Sequence, residues 1–272
     1  MPDEPGPLFA ELTAIMARLR GPGGCPWDRE QTSSSIAPYL LEETYEVLEA
    51  IREGKPTRLR EELGDVLLQV VFHAEMAAEA GQFTIADVLR GVSDKLVRRH
   101  PHVFGDAEAK TAAEVLVRWE AIKQHERESG GEPASALAGV PRSLPALLRA
   151  HRLQEKASRA GFDWPALEGV LAKVEEEWRE LKAALEGGQP ARVESELGDL
   201  LFGLVNLSRF AGVNPEMALT AATERFIRRF HHIEAVLARR GKTPRESTLD
   251  EMDLLWEEAK RREAQEGGPV AP

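Results

Sequence analysis

Apolar residues recur at steps of three and four along most of this chain. In YLLEETYEVLEAI the residues Leu40, Leu41, Val47, Leu48 and Ile51 fall at helical spacing. VSDKLVRR and ATERFIRRFHHIEAVLARR keep the same 3.6-residue rhythm, the second ending at Gly241. Sharp breaks interrupt the pattern at Gly54-Lys55-Pro56 and at Gly187-Gly188-Gln189-Pro190. No pair of alternating β-branched runs flanks a hairpin turn. The pattern predicts an all-α chain of helical bundles.

Polar positions break that pattern twice in the same way. In EELGDVLLQVVF and in ESELGDLLF, carboxylates stand directly against a nearly unbroken apolar run. Aligning Glu43 with Glu177 also brings Glu46, Glu62 and Asp65 onto Glu180, Glu196 and Asp199, and DVLLQVVF onto DLLFGLVN. Further on, DKLVRRH meets ERFIRRF, and Trp119 and Lys123 meet Trp256 and Lys260. A repeat this long is a duplicated domain, because solenoid units run to about 20–50 residues. HERESGGEPASALAGVP lies between the copies and reads as a linker. The expected organisation is tandem duplicated helical-bundle domains at residues 1–125 and 151–272, joined by a linker at 126–150.

Composition narrows the classes. The 272 residues are 42% hydrophobic, 30% charged and only 6% aromatic, which suits helices packed through Leu, Ala and Val. The net charge of −11 argues against a nucleic-acid or anionic-membrane surface as partner. Cys25 is the single cysteine, so no intrachain disulfide forms and a reducing cytoplasm is the expected setting. The start of the chain carries no signal-peptide pattern, and no apolar run approaches the roughly 18 residues of a membrane span.

The acids carry the candidate chemistry. Residues i and i+3 of a helix share a side, so Glu43 pairs with Glu46 and Glu62 with Asp65. A short Gly/Pro loop makes the two helices antiparallel neighbours, and the four carboxylates should converge on one seam. Such a cluster repels itself unless a cation sits within it. All the donors are oxygens, which points to Mg²⁺ or Mn²⁺ rather than zinc or a di-iron centre. Gly64 and Gly198, inside these helices, suggest close approach of a backbone or a ligand.

Cations and aromatics extend the pattern. Arg225 and Arg229 stand one turn apart, as do Lys95 and Arg99, and Trp256 and Lys260 repeat Trp119 and Lys123. Metals and cations suit a polyphosphate, and a Trp suits a flat base. His100, His102, His231 and His232 lack metal-ligand spacing and read as structural. No Gly-rich phosphate loop of either common type occurs.

GCPWDREQT, IAPYLLEETYEVLEAI, EELGDVLLQVVFHAEMA, RRHPHVFGD, VPRSLPALLRAHRLQEKA, GFDW, VEEEWREL and ESELGDLLF together resemble the MazG nucleoside triphosphate pyrophosphohydrolases in their two-copy form. The resemblance covers nearly the whole chain. It implies the all-α NTP pyrophosphatase fold, a homodimer, Mg²⁺, and hydrolysis of an NTP or dNTP to the monophosphate and pyrophosphate. The family's metal motif matches Glu43, Glu46, Glu62 and Asp65, and again Glu177, Glu180, Glu196 and Asp199. Its nucleotide-binding positions fall on Lys173, Arg225, Arg229, Trp256 and Lys260. The first-copy counterparts are Lys95, Arg99, Trp119 and Lys123.

The copies differ at Lys173, whose counterpart is Tyr39, and the extra cation makes the second copy the expected catalytic one. The first glutamate of each pair is favoured as the base that takes the water's proton. The competing reading is a helical regulatory module that binds a nucleotide or a partner without hydrolysis.

Overall fold

The computed structural model describes residues 4–129 and 135–265. Among them are twelve α-helices and one 3-10 turn, with no strand, as the apolar spacing predicts. The chain divides into two compact units, residues 1–126 and 127–272. Residues 130–134 of the expected linker lie outside the described residues.

The first unit contains α1 (Pro5–Arg20), α2 (Pro26–Glu30), α3 (Ser33–Glu53), α4 (Pro56–Glu79), α5 (Ile85–Arg99), α6 (Pro101–Phe104) and most of α7 (Ala112–Ser129). The second contains α8 (Ala146–Arg159), α9 (Leu167–Glu186), α10 (Pro190–Phe210), α11 (Pro215–Arg239) and α12 (Leu249–Gln265), with the 3-10 turn Pro244–Glu246 before α12. Helix α8 begins inside the stretch expected to be linker, and the Leu148 amide donates to Glu216 on α11.

Local chemistry sets the two hairpins that matter. Thr32 caps α3, its hydroxyl accepting from the Ser35 amide while the Ser35 hydroxyl accepts from the Thr32 amide. Gly54 ends α3 at φ 64°, a conformation that any Cβ would strain. Pro56 then opens α4, where the missing N–H is no loss. Gly188 at φ 61° and Pro190 repeat the device between α9 and α10. These turns fold α4 back along α3 and α10 back along α9, the main helix pairings of the two units.

The repeat extends to the packing. Ile36, Ala50 and Val71 are buried in the first unit, and their repeat partners Val170, Ala184 and Val205 are buried in the second. Met16, Ile36, Val71, Phe72 and Met76 form one core, lined by Phe9 and Leu12 of α1. Burying each such side chain contributes roughly 1.5–3 kcal/mol. Ile233, Val236, Leu237 and Leu255 form a second core between α11 and α12. The same order leaves a matched stripe exposed: Leu63, Leu67 and Val70 on α4, and Leu197, Leu201 and Leu204 on α10.

Candidate metal and nucleotide site

In the second unit the α9–α10 hairpin brings Glu177 together with Glu196 and Asp199. One oxygen of each lies within 4.8 Å of the others. Glu177 is only 6% exposed, Glu196 is half-buried and Asp199 is exposed, so the group opens outward on one side. Glu180 lies outside this trio. The Lys173 ammonium sits 2.6 Å from Glu177 and 3.0 Å from Glu176. Its hydrogen bonds, to Glu177 first and Glu176 second, hold Lys173 well above the usual lysine range. Arg192 Nε lies 3.3 Å from Glu196.

The first unit builds the same trio from Glu43, Glu62 and Asp65, again within 4.8 Å. Glu43 is pushed up from the usual carboxylate range, first by burial, then by the charges of Asp65 and Glu46, a hydrogen bond with Glu46 and the charge of Glu62. Its cations differ from those of the second unit. Tyr39, one turn before Glu43, is exposed, with its ring centroid 6.3 Å from that of Trp27. Arg58 instead reaches the edge of the site, pairing with Glu49 at 2.5 Å, Glu53 at 2.7 Å and Glu62 at 3.2 Å.

Both trios fit a hard divalent cation. Their donors are all carboxylate oxygens, the preference of Mg²⁺ and Mn²⁺. Three carboxylates converge in each unit, and at Glu43 burial and then the neighbouring acids raise the carboxyl, a crowding of like charge that a divalent cation would relieve. Gly64 and Gly198 need correction in one respect. A Cβ at either would meet nothing within 4 Å, so no neighbouring backbone requires glycine there.

The basic and aromatic positions form a separate constellation on α11 and α12. Arg229 makes an ion pair with Glu263 at 2.7 Å and stacks its guanidinium 5.3 Å from the Trp256 ring centroid. Phe226 covers Trp256 further at 5.4 Å, so the indole is half-buried against the second core rather than a free plate. Arg225 is exposed, and Lys260 pairs with Glu257 at 2.7 Å. Among the described residues, no hydrogen bond or ion pair links these four to Glu177, Glu196 or Asp199. The first unit repeats the arrangement. Arg98 and Arg99 both reach Glu126 at 2.6 Å, and His100 packs edge-on to Trp119 at 5.1 Å. Lys95 is exposed and Lys123 half-buried.

The sequence pattern missed Glu126 and Glu263, although each stands two turns after its tryptophan in both copies. It also missed Arg58 and Arg192. Among the histidines, His232 Nε2 lies 3.2 Å from Glu258 and His100 packs against His102.

Comparison with known proteins agrees with the repeat. The description "MazG nucleotide pyrophosphohydrolase domain" matches residues 31–104 and again 166–234. The chain is 49% identical over 257 residues to the nucleoside triphosphate pyrophosphohydrolase/pyrophosphatase MazG of Thermotoga maritima, covering 94% of this chain and 97% of that protein. It is 50% identical over 255 residues to the nucleoside triphosphate pyrophosphohydrolase of Escherichia coli K12, covering 93% and 97%. The similarity to a nucleoside triphosphate pyrophosphohydrolase of Mycobacterium tuberculosis is 42% over 159 residues, covering 58% of this chain and 47% of that protein.

Proposed function

The chain belongs to the MazG nucleotide pyrophosphohydrolase family, and we propose that it hydrolyses nucleoside triphosphates or their deoxy forms to the monophosphate and pyrophosphate with Mg²⁺. The observation that carries the reading is the buried Glu177 gathered with Glu196 and Asp199 on one hairpin, a grouping repeated in the first unit. Clearance of unwanted nucleotides is the role this chemistry suits, and the lone Cys25 suits a reducing cytoplasm. No helix among the described residues is long and apolar enough to cross a membrane.

In this reading Glu177, Glu196 and Asp199 hold the ion, and Glu43, Glu62 and Asp65 offer the same donors in the first unit. When bound, a divalent ion supplies charge neutralisation along the triphosphate and polarises the phosphorus under attack. Glu180, one turn from Glu177 and outside the trio, is the carboxylate left to accept the attacking water's proton. The base therefore moves from the first glutamate of the pair to the second, because Glu177 is committed to its neighbours and to Lys173. Glu46 occupies the same place in the first unit. Lys173 can keep its contact with Glu176 while turning its charge toward a phosphate. Arg225, Arg229 and Lys260 extend the positive charge, and the part of Trp256 left uncovered by Arg229 and Phe226 is offered to the base. Lys95, Arg99, Trp119 and Lys123 stand in these roles in the first unit.

The exposed stripe of Leu197, Leu201 and Leu204 supports a homodimer, since an isolated chain leaves it in water. Lys173 favours the second unit as the working one. A regulatory module that binds without hydrolysis finds no support there, where every acid of the motif is retained.

The test is product identification across a panel of NTPs and dNTPs. Pyrophosphate should be the first product, and Glu177→Gln or Asp199→Asn should abolish its release. Orthophosphate as first product, or full activity in both variants, would overturn the reading.

A further inference from the structure

One acid on the last helix of each unit receives two consecutive arginines, and the match runs down to single oxygens. Glu126 Oε1 accepts from Arg98 Nε at 2.6 Å, while its Oε2 takes Nε and Nη2 of Arg99 at 3.1 and 2.6 Å. In the second unit Glu263 Oε2 takes Nε and Nη2 of Arg229 at 2.9 and 2.7 Å, and Oε1 faces Arg228 at 3.7 Å. An ordinary exposed ion pair gains too little to hold one geometry, yet this one is built twice. Arg229 is the better buried of its pair, with 20% of its side chain exposed against 58% for Arg228. Glu263 also stands on the side of α12 that carries Trp256 and Lys260, since residues three and four apart on a helix are neighbours.

Resting on the reading that Arg229 and Trp256 belong to the nucleotide site, we infer that Glu263 is a positioning residue of the reaction: it clamps one edge of the Arg229 guanidinium against the Trp256 ring and leaves the other edge for a phosphate. The planar group offers two edges to an acceptor. Its side edge, Nε with one hydrogen of Nη2, is committed to Glu263 Oε2. Its end edge, Nη1 with the other hydrogen of Nη2, has no protein acceptor among the described residues. That end is the fork that meets two phosphate oxygens at once. The indole, 5.3 Å from the guanidinium carbon, restrains the plane, and Glu263 restrains rotation within it. Binding a phosphate there immobilises little further freedom of a long side chain. Glu263 itself does not touch the substrate. On charge alone it would repel a triphosphate, so its presence here is explained by the geometry it imposes on Arg229.

The experiment compares steady-state kinetics of full-chain variants on the best substrate of the panel. Glu263→Gln should raise KM roughly tenfold, the scale of one charged hydrogen bond. Its kcat should stay within about twofold, because Arg229 holds phosphate alike in the ground state and the transition state. Removing a negative charge beside an anionic substrate would by itself lower KM, so the sign separates positioning from plain electrostatics. Glu263→Asp keeps the charge but withdraws it by one methylene, and should raise KM by a smaller factor; it decides the case if Glu263→Gln melts below the assay temperature. Arg229→Gln should raise KM, and adding Glu263→Gln to it should raise KM little further, since the acid acts through the arginine. An acid that only supports the fold would lower Tm and add its full effect in the double variant. An unchanged or lowered KM in Glu263→Gln, a wild-type KM in Glu263→Asp, or additive losses in the double variant would overturn the inference. A wild-type KM in Arg229→Gln removes instead the nucleotide-site reading on which it rests.

Discussion

Replacing Lys173 with alanine separates the ammonium's structural part from the ion's. The substitution removes a cation 2.6 Å from Glu177, a carboxylate only 6% exposed. Loss of a hydrogen bond between charged groups costs about 1.5–3 kcal/mol, and the lysine's partial exposure screens it toward about 1–2 kcal/mol. For a unit of this size each kcal/mol moves Tm by about 2–4 °C, so the second unit should melt about 2–8 °C lower in EDTA. Saturating Mg²⁺ should then raise Tm more in the variant than in the wild type, because the ion no longer displaces an ammonium from Glu177. The pH dependence has a definite sign. Lys173 is raised by its bonds to Glu177 and Glu176, so its stabilisation is full below the ordinary lysine pKa of ~10.4 and fades only as the pH climbs above it. Calorimetry between pH 6 and 9 should show a constant difference between the two proteins. An unchanged Tm in EDTA, or equal Mg²⁺ shifts in both, would refute the argument.

Glu126→Gln should lower stability at neutral pH. The bonds from Arg99, aided by Arg98 and opposed by burial, hold Glu126 down to about 2 from its ordinary 4.5. Its contribution is therefore full above about pH 4.5 and is lost as the pH falls through about 2; acid titrations of the two proteins should converge there. Leu201→Glu places a charge in the exposed stripe of α10 and should shift a dimer toward monomer in sedimentation, while the far-UV spectrum stays helical. Gly54→Ala puts a Cβ at φ 64° and should cost about 1 kcal/mol in denaturant unfolding.

The helices, the hairpins and the duplication were legible because each has a local cause: apolar periodicity, Gly54 and Gly188 at the turns, and Pro56 and Pro190 at the following helix starts. The acids were legible as a group but not as a trio. Successive helical residues rotate by about 100°, so i and i+3 sit about 60° apart around the axis. That offset lets both members of the α4 and α10 pairs, Glu62 with Asp65 and Glu196 with Asp199, reach the seam but admits one glutamate from α3 and one from α9, and spacing alone does not say which. Packing chose Glu177 and Glu43 and left Glu180 and Glu46 beside them. The pairing of Arg229 with Glu263 depends on how α12 lies against α11, which no single helix records. At Gly64 and Gly198 the surroundings are open, so no neighbouring backbone accounts for the glycine, and helix propensity does not distinguish crowding by a backbone from room for a ligand.

An anomalous difference map from crystals grown with Mn²⁺ and a nonhydrolysable triphosphate tests the central claim most directly. The account predicts a peak at coordination distance from Glu177, Glu196 and Asp199, with phosphate oxygens against it. A triphosphate bound elsewhere, or carboxylates that remain paired to Lys173 and Arg192 with no ion between them, would contradict it.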